Sequence, residues 1–277
     1  MAKGDFRIRF WGVRGSIATC APDVVSYGGE TICMEVTCGK RTLVFDCGSG
    51  GRRLGNDLSS RGIDDIDIFL SHFHYDHIEG LPFFAPLYKD SSRIVIRSGH
   101  GTPERSTQGL IDGFIGPPYF PICPDMFRAN WRCEDIVVGT GQDLGDGIAL
   151  TTFPLNHPGG ATGYRIAYAG RSIAIVTDNE HFAGRRDEKL GGFIAGADLV
   201  VYDAMYTDAE YPTFAGFGHS TWEEGVRLCE AFDTGRLAVI HHRPLRTDAE
   251  LDTLAAEAEA LRPGTVFARQ GQEIIIG

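Results

Sequence analysis

The sequence predicts a mixed α/β sandwich, and three observations lead to this prediction. Short runs rich in β-branched and aromatic residues recur along almost all of the 277 residues. Segments with helical periodicity and N-terminal capping signals fall between and after these runs. The hydrophobic content of 43% is enough to bury a sizeable core. Because no repeat, low-complexity tract or charged linker divides the chain, we expect one domain over residues 1–277.

The predicted strands are apolar or alternating runs bounded by glycine, proline, asparagine or aspartate. They lie at 6–12, 31–38, 42–48, 66–72, 93–98, 148–155, 162–169, 171–178, 197–204, 236–242 and 273–277. The segment YAGR, with Gly170 near its centre, joins two of these runs and predicts a tight hairpin turn.

Two later segments carry the capping box that opens a helix. In STWEEGVRLCEAF, Ser220 is followed three residues later by Glu223, and apolar residues then recur at helical spacing. In TDAELDTLAAEAEAL, Thr247 and Glu250 repeat the device. We therefore expect helices near the end of the chain, after most of the strands.

Residues 82–133 differ from the rest of the chain. Proline and glycine are frequent there, and PPYFPICP at 117–124 cannot form a central strand because proline donates no ladder hydrogen bond. We expect a partly irregular insertion around 82–133. Tyr119 and Phe120 within it are candidates either to cap a pocket or to pack inside the insertion.

Composition disfavours several classes of protein. The formal net charge is -11 with no long run of Lys or Arg, which disfavours a broad grip on DNA or tRNA. The N-terminal MAKGDFRIRFWG has no continuous apolar stretch, and no segment reaches the roughly 18 apolar residues of a membrane span, so we expect a cytoplasmic protein. Seven cysteines without a C-x-x-C pair favour reduced thiols over disulfides or a thiolate zinc site.

The segment SHFHYDH, at 71–77, gives the clearest indication of chemistry. His72 and His74 point to the same side of an extended chain, so both imidazoles can reach one cation. A turn then presents Asp76 and His77 to a second cation. Four ligand-type groups side by side are costly to desolvate unless a cation binds them. The segment therefore predicts two neighbouring metal sites.

Further ligand candidates follow later predicted strands. His157 follows FPLN, Asp178 ends AIVTD, and the pair His241 and His242 ends AVIHH. Because each follows an apolar strand, we expect these side chains to gather at one edge of the sheets. The two adjacent histidines compete for the last ligand position.

These residues together resemble the metallo-β-lactamase superfamily, and the resemblance covers nearly the whole chain. It implies a four-layer αββα sandwich, and it favours His242 over His241 because His242 then aligns with the family's strand-end histidine. The implied ligands are His72, His74 and His157 for one metal, Asp76, His77 and His242 for the other, and Asp178 between them. Asp46 in LVFDCGSG resembles the family's early buried aspartate, and its carboxylate is expected to orient a ligand histidine.

A second motif narrows the branch of the superfamily. GFGHSTWEEGVRL resembles the G-H-S-T element shared by tRNA 3′-processing endonucleases and cyclic phosphodiesterases, which implies a catalytic role for His219 at phosphorus. The structural alternative is that His219 merely precedes the helix cap. RIRFWGVRGSIATC, YGGETICMEV and PPYFP also resemble bacterial phosphoribosyl cyclic phosphodiesterase-like proteins. In the GVRGS loop, Arg14 and Ser16 are candidates for phosphate contact or for an ordinary turn.

The resemblance implies a dinuclear hydrolase that cleaves a small phosphodiester, cyclic diesters included. Two cations roughly 3.5–4 Å apart would lower the pKa of a shared water to about 7, and the resulting metal-bridging hydroxide would attack phosphorus. Asp76 and Asp178 would orient the hydroxide, and His219 would assist as a proton or hydrogen-bond donor. Zinc suits the His/Asp set best, and manganese or iron also fit. A homodimer is the oligomeric state that the resemblance implies.

Three alternatives stand beside this prediction. One is a tRNA 3′-processing endoribonuclease, which the net charge and the lack of a basic, glycine-rich arm disfavour. Another is a lactone or thioester hydrolase that uses the same metals to polarise a carbonyl. The third is a non-enzymatic binding module, which the intact series of ligand-type residues disfavours.

Overall fold

Two mixed seven-stranded sheets form the centre of the molecule. The structure is a computed structural model that describes residues 5–276. The first sheet contains β1 (Phe6–Gly12), β2 (Cys33–Cys38), β3 (Arg41–Phe45), β4 (Asp65–Leu70), β5 (Arg93–Ser98) and β6 (Asn130–Asp135). The second contains β7 (Gly141–Asp143), β8 (Ala149–Leu155), β9 (Ala161–Tyr168), β10 (Arg171–Val176), β11 (Leu199–Asp203), β12 (Arg236–Ile240) and β13 (Thr265–Phe267). Strand β14 (Glu273–Ile275) returns to the first sheet beside β1.

The helices of residues 5–276 are α1 (Gly50–Arg61), α2 (Tyr75–Ile78), α3 (Thr107–Phe114), α4 (Glu188–Ile194), α5 (Tyr211–Phe214), α6 (Trp222–Ala231) and α7 (Asp248–Leu261). The longer ones, α1, α3, α4, α6 and α7, pack against the sheets. A central apolar cluster holds residues of both sheets, among them Phe45, Phe69 and Tyr164. A second cluster joins the second sheet to α4, α6 and α7, and a third joins the first sheet to α1 and α3. These layers confirm the predicted αββα sandwich, whose stability rests on burying both faces of each sheet.

The direction of the strands explains where the functional residues meet. Strands β3 to β6 are mutually parallel, as are β10 to β13. Strand β8 runs antiparallel to β9, which runs antiparallel to β10, so β8 and β10 share a direction. The carboxyl ends of strands with a common direction lie at one edge of a sheet, which is where α/β proteins place their ligands.

The expected insertion at 82–133 is more regular than the sequence indicates. It contains β5, the strand predicted at 93–98, and it ends within β6; the two strands pair in parallel with Arg93 opposite Asn130. The segments 82–92 and 99–129 on either side of β5 are largely irregular and contain only short helical turns and α3. The polar sequence NWRCED gives no hydrophobic signal for β6. This strand lies at the edge of its sheet, where it is partly exposed and can carry polar side chains. PPYFP is not a strand, as predicted.

The predicted caps and turn have mixed outcomes. Thr247 and Glu250 form the capping box of α7, and the hairpin turns at Ala169 and Gly170 with φ of 51° and 78°. The prediction for α6 was wrong by one residue, since Thr221 rather than Ser220 caps this helix. The Ser220 hydroxyl is fully buried and is bonded to His181 and Tyr202 instead.

Several expectations about the whole chain stay predictions. Among residues 5–276, no helix has the length and apolar character needed to span a bilayer. All seven cysteines are free thiols in the structure. The predicted single domain over 1–277 and the assessment of the N-terminal MAKG extend beyond the described residues, as does Gly277 at the end of the last predicted strand. Cytoplasmic location and homodimer formation likewise stay predictions.

Candidate metal centre

The first sheet contributes its side chains from one short segment after β4. His72 and His74 alternate along the extended chain, with ring centroids 4.4 Å apart. The chain then turns into α2, which brings the His77 ring within 4.2 Å of the His72 ring. His72 and His77 are buried, whereas His74 is exposed. The extended segment followed by a helical turn thus positions these residues as the sequence predicts.

The second sheet contributes its side chains from four separate strand ends. His157 follows β8, Asp178 follows β10, Asp203 ends β11 and His241 follows β12. Asp178 and His241 have φ of 53° and 61°, and this left-handed conformation is unusual for residues other than glycine. The strained backbone turns both side chains toward the cluster, as is common at functional sites.

Asp178 lies at the centre of the cluster. Its Oδ2 is 3.6 Å from Nε2 of both His72 and His157. Its Oδ1 is 3.2 Å from Nε2 of both His77 and His241. One carboxylate therefore presents one oxygen to each of two histidine sets, which is the arrangement of a bridging ligand.

Three groups of ligand atoms lie in this cluster. Within each group the ligand atoms lie within 4.8 Å of one another: His72, His74, His157 and Asp178 form the first, Asp76, His77 and His241 the second, and Asp178, Asp203, His219 and His241 the third. In the first group, His74 Nδ1 and His157 Nε2 face each other at 3.1 Å. In the second, Asp76 Oδ2 is 3.2 Å from His241 Nε2.

The hydrogen bonds of the histidines fix which nitrogen faces inward. His157 Nδ1 donates to the carbonyl of Gly218 at 2.8 Å, so Nε2 keeps its lone pair. His77 Nδ1 donates to Asp46 at 2.8 Å, and Asp46 also accepts from the Ser71 amide at 2.7 Å. Asp46 thus orients a histidine, as expected.

The donor set fits divalent cations. The Nε2 atoms of His72 and His77 are buried and have no hydrogen-bond partner, although each lies near Asp178. Buried nitrogens normally find partners, and outer carboxylates or carbonyls that hold the other ring nitrogen are typical of metal-ligating histidines. The imidazoles and carboxylates present are ligands that zinc, manganese and iron accept.

The expectation that His242 supplies the last ligand was wrong. The buried His242 ring lies outside the cluster, where its Nε2 donates to the Ala268 carbonyl at 2.8 Å and the ring stacks on Phe267. Burial lowers its pKa to about 3, so the ring is neutral. His241 takes the position instead, because β12 ends at Ile240 and the positive φ of His241 redirects its side chain.

His219 lies beside the cluster and is bonded to a residue that sequence reasoning missed. Its Nδ1 is 2.9 Å from Asp203 Oδ2, and its ring stacks on His241 with centroids 4.7 Å apart. Burial would lower the pKa of His219, but the charge and hydrogen bond of Asp203 outweigh it and raise this pKa to about 9. The available signal for Asp203 was its place at the end of the apolar run LVVYD.

The two central aspartates are strongly acidic. Burial by itself would raise the pKa of Asp76, but the charge of His77 and the hydrogen bond from His241 lower it far below its usual range. Burial likewise opposes ionisation of Asp178, and the charges of His241 and His77 overcome it. Asp76 also accepts a hydrogen bond from the Ser16 amide at 2.6 Å.

Two glycine-containing loops leave room for the ligand histidines. A Cβ on Gly15 would lie 2.2 Å from His241 Nδ1, and a Cβ on Gly218 would lie 2.3 Å from His157 Nδ1. These contacts explain why glycine stands in the motifs GVRGS and GFGHS. Arg14 in the first motif does not face the cluster, because its fully buried guanidinium donates to the carbonyls of Gly28, Arg243 and Arg246.

The sandwich and its His/Asp cluster define a class of protein. The chain belongs to the beta-lactamase superfamily, since the profile described as "Beta-lactamase superfamily domain" matches residues 41–242. This match confirms the resemblance that the signature motif indicates.

Individual relatives share most of their length with this chain. Ribonuclease Z of Bradyrhizobium diazoefficiens is 25% identical in an alignment of 293 positions, which spans 86% of this chain and 91% of that protein. Ribonuclease Z of Thermoplasma volcanium is 25% identical in an alignment of 249 positions, which spans 74% of this chain and 79% of that protein.

Solved structures share the fold. The metallo-β-lactamase fold protein YhfI from Bacillus subtilis has a TM-score of 0.75 and 18% identity, with 99% of this chain and 100% of that chain covered. A diphosphatase from the PhnP family has a TM-score of 0.72 and 18% identity, with 97% of each chain covered. The short form of human tRNase Z has a TM-score of 0.70 and 18% identity, with 98% and 99% covered.

Proposed function

We propose that this protein is a dinuclear metal-dependent phosphodiesterase that hydrolyses a small phosphodiester. The observation that carries the proposal is Asp178, whose two oxygens face separate histidine sets, with the His219–Asp203 pair adjacent. Relatives named ribonuclease Z and a structural neighbour named a diphosphatase support chemistry at phosphorus.

Two sets of residues would hold the metals. His72, His74 and His157 would bind one cation, Asp76, His77 and His241 the other, and Asp178 would contact both. Divalent cations in such a site lower the pKa of water and neutralise charge that develops on a phosphoryl group. We propose zinc as the resident metal, because a set of imidazoles and carboxylates matches its preferred ligands.

His219 would act on the substrate through Nε2. Because Asp203 holds Nδ1 at 2.9 Å, Nε2 is the nitrogen left to donate a hydrogen bond or proton to a phosphoryl or leaving oxygen. Asp203 is then a positioning residue, since it fixes the ring orientation and the tautomer. Stacking on His241 holds the same ring from its face.

The primary test compares the metal-loaded protein with a ligand variant. The zinc- or manganese-loaded protein should hydrolyse bis(p-nitrophenyl) phosphate well above the rate of Asp76→Ala. Equal rates for the two proteins would contradict the proposal. A lactone and a thioester in the same screen test the carbonyl alternative, and a higher kcat/KM for either would place the activity there.

A tRNA 3′-processing endoribonuclease is the second candidate. The ribonuclease Z relatives favour this candidate. The alignment with one of them covers 86% of this chain and 91% of that relative. The net charge of -11 disfavours the endoribonuclease, because binding to tRNA depends on neutralising many phosphates. Cleavage of a precursor tRNA at its 3′ end by low enzyme concentrations would favour this candidate over a small diester.

A further inference from the structure

A groove lined by aromatic residues lies beside α2. Its volume is about 520 Å³, within the range of roughly 300–1,000 Å³ that is typical of small-molecule sites. We call it the aromatic groove, and its main lining residues are Phe73, Tyr75, Arg105, Gly113, Phe114 and Tyr119.

The aromatic groove adjoins the segment that carries four of the proposed metal ligands. Tyr75 stands between His74 and Asp76 in the signature segment, so one short stretch of chain serves both. His74 is the exposed member of its ligand group, whereas the other three members are buried. The exposed edge of the cluster, at His74, is therefore next in the chain to Tyr75, which lines the groove.

The walls of the groove expose aromatic faces to solvent. Tyr75 is 69% exposed and Tyr119 is 77% exposed. The Tyr75 ring lies 6.0 Å from the Phe114 ring, with an interplanar angle of 41°. Exposed aromatic rings spaced in this way can stack with a planar heterocycle, a contact that accepts any nucleobase.

The groove also carries one positive charge that is available to a ligand. Arg105 is exposed at its rim, and no carboxylate among residues 5–276 forms a salt bridge with it. In a chain with a net charge of -11, an unpaired guanidinium beside aromatic rings favours an anionic, planar ligand.

Glycine keeps the floor of the groove open. Gly109 and Gly113 lie one helical turn apart in α3, and both line the groove. A Cβ on Gly113 would meet no atom within 4 Å. Glycine lowers the stability of a helix, so two glycines in an eight-residue helix are costly. Because neither residue has a side chain, the space above them in the groove stays open.

We propose that the aromatic groove binds the nucleobase of a nucleotide phosphodiester whose phosphate lies at the metal centre. This inference rests on the proposed phosphodiesterase function and names its substrate class. Tyr75 and Tyr119 stack with the base, and Arg105 contacts the base face or an adjoining phosphate.

The first experiment measures binding without turnover. Zinc-loaded protein is titrated by calorimetry with AMP and with ribose 5-phosphate, which differ in the base. We expect AMP to bind about tenfold more tightly or better, since stacking on an aromatic side chain contributes that much. Equal affinities for the two ligands would overturn the inference.

Two matched variants locate the binding. Gly113→Leu fills the groove, and Gly192→Leu is its control, because Gly192 is also an exposed helical glycine with nothing within 4 Å of a Cβ. Gly113→Leu should remove the advantage of AMP over ribose 5-phosphate, whereas Gly192→Leu should keep it. Tyr119→Ala should reduce this advantage several-fold. Unchanged AMP binding in both groove variants would also overturn the inference.

Kinetics separate this inference from the proposed function. The substrates are thymidine 5′-(p-nitrophenyl) phosphate and methyl p-nitrophenyl phosphate, and the expected ratio of their kcat/KM values falls about tenfold in Gly113→Leu. If both diesters are hydrolysed and Gly113→Leu leaves the ratio of their kcat/KM values unchanged, the proposed phosphodiesterase function stands and the proposed base-binding role of the groove is rejected. Groove-dependent AMP binding without hydrolysis of either diester would support the groove and reject the phosphodiesterase.

Discussion

Two adjacent histidines after β12 have different environments. His241 Nε2 lies 3.2 Å from oxygens of both Asp76 and Asp178. His242 is bonded to the Ala268 carbonyl and contacts Tyr27 edge to face. The proposed ligand role therefore belongs to His241, and a packing role belongs to His242.

Substitution of each histidine should separate these roles. His241→Ala should bind about one equivalent of zinc instead of two and lose at least about 100-fold in kcat/KM for bis(p-nitrophenyl) phosphate. His242→Gln should keep two equivalents and lose stability instead, because a buried ring is replaced. Metal analysis and thermal unfolding of both variants provide the measurement. Two equivalents of zinc in His241→Ala would contradict the assignment.

Asp203 offers a second test at the residue scale. In Asp203→Asn the amide replaces a carboxylate that is 2.9 Å from His219 Nδ1 and can favour the wrong ring tautomer. We expect kcat to fall about 10- to 100-fold while KM and zinc content stay near those of the unsubstituted protein. A loss of metal with an unchanged kcat per bound metal would instead make Asp203 a ligand.

A charged ladder crosses three parallel strands of the first sheet. Asp67 on β4 is 2% exposed and is hydrogen-bonded to Arg97 on β5 at 2.6 Å and to Arg41 on β3. Burial by itself would raise the pKa of Asp67, but the hydrogen bonds from Arg97 and Arg41 outweigh it and lower this pKa. A depressed pKa in the folded state means that the pair stabilises the fold above the unfolded pKa and ceases to do so as pH falls through the folded pKa.

We predict that Asp67→Asn loses about 2 kcal/mol of unfolding free energy at pH 7, because two partly buried guanidinium groups lose their counter-charge. The difference from the unsubstituted protein should shrink below about pH 4, where the carboxylate begins to lose its advantage. Urea titrations at both pH values measure it. Asp65→Asn is the control, since Asp65 lies on the same strand in an exposed pair with Arg93. Equal losses for both variants would contradict the prediction.

The capping box at the start of helix α7 can be tested by substitution. Thr247 Oγ1 accepts from the Glu250 amide at 3.3 Å, and the Glu250 carboxylate accepts from the Thr247 amide at 2.8 Å. Thr247→Ala should lower the free energy of unfolding, measured in urea, by about 1 kcal/mol, because the Glu250 amide in the first turn loses its hydrogen-bond acceptor. Thr253→Ala on the same helix should cost less, since its hydroxyl bonds only to the Ala249 carbonyl within the helix.

Metal removal is a test at the scale of the whole molecule. The proposed ligands come from both sheets, so cations bound there join the two halves of the sandwich. We expect chelation to lower the Tm by about 5–10 °C relative to protein at a free zinc concentration near 100 times the Kd. Zinc added back should restore it. Asp76→Ala should show a smaller shift, and an equal shift would mean that zinc stabilises the fold elsewhere.

Much of this architecture is readable in the sequence because its signals are local. Apolar strands such as β4, β10 and β11 are buried between helices and the opposite sheet, so their hydrophobic runs stand out. Strands β6 and β7 lie at sheet edges, and their polar composition conceals them. Helix α1 is hidden as well, because GGRRLGNDLSSR opens with two glycines and its N-terminal Ser49 makes no side-chain cap.

The part of the site whose ligands are adjacent in sequence was predictable. The prediction was uncertain where the position of a ligand depends on the backbone conformation of a single residue. The segment at 72–77 fixes its own geometry through alternation and a turn. The choice between His241 and His242 depends on the left-handed backbone at 241. The sequence does not indicate which of the two adopts it, because both residues are histidines with the same backbone preferences. Asp203 was missed because its partner His219 lies in a different segment of the chain, and only folding brings them within 2.9 Å.

The two sheets contribute their ligands from differently spaced parts of the chain, and this affects the order of folding and metal binding. One sheet delivers its donors from six consecutive residues, whereas the other assembles its donors from strand ends spread between His157 and His241. A nascent chain that has emerged only as far as β7 holds the donors of the first sheet alone and cannot yet retain a cation pair. Loading with metal therefore follows assembly of the sandwich, and ion uptake would serve as a marker that both sheets have reached their final register.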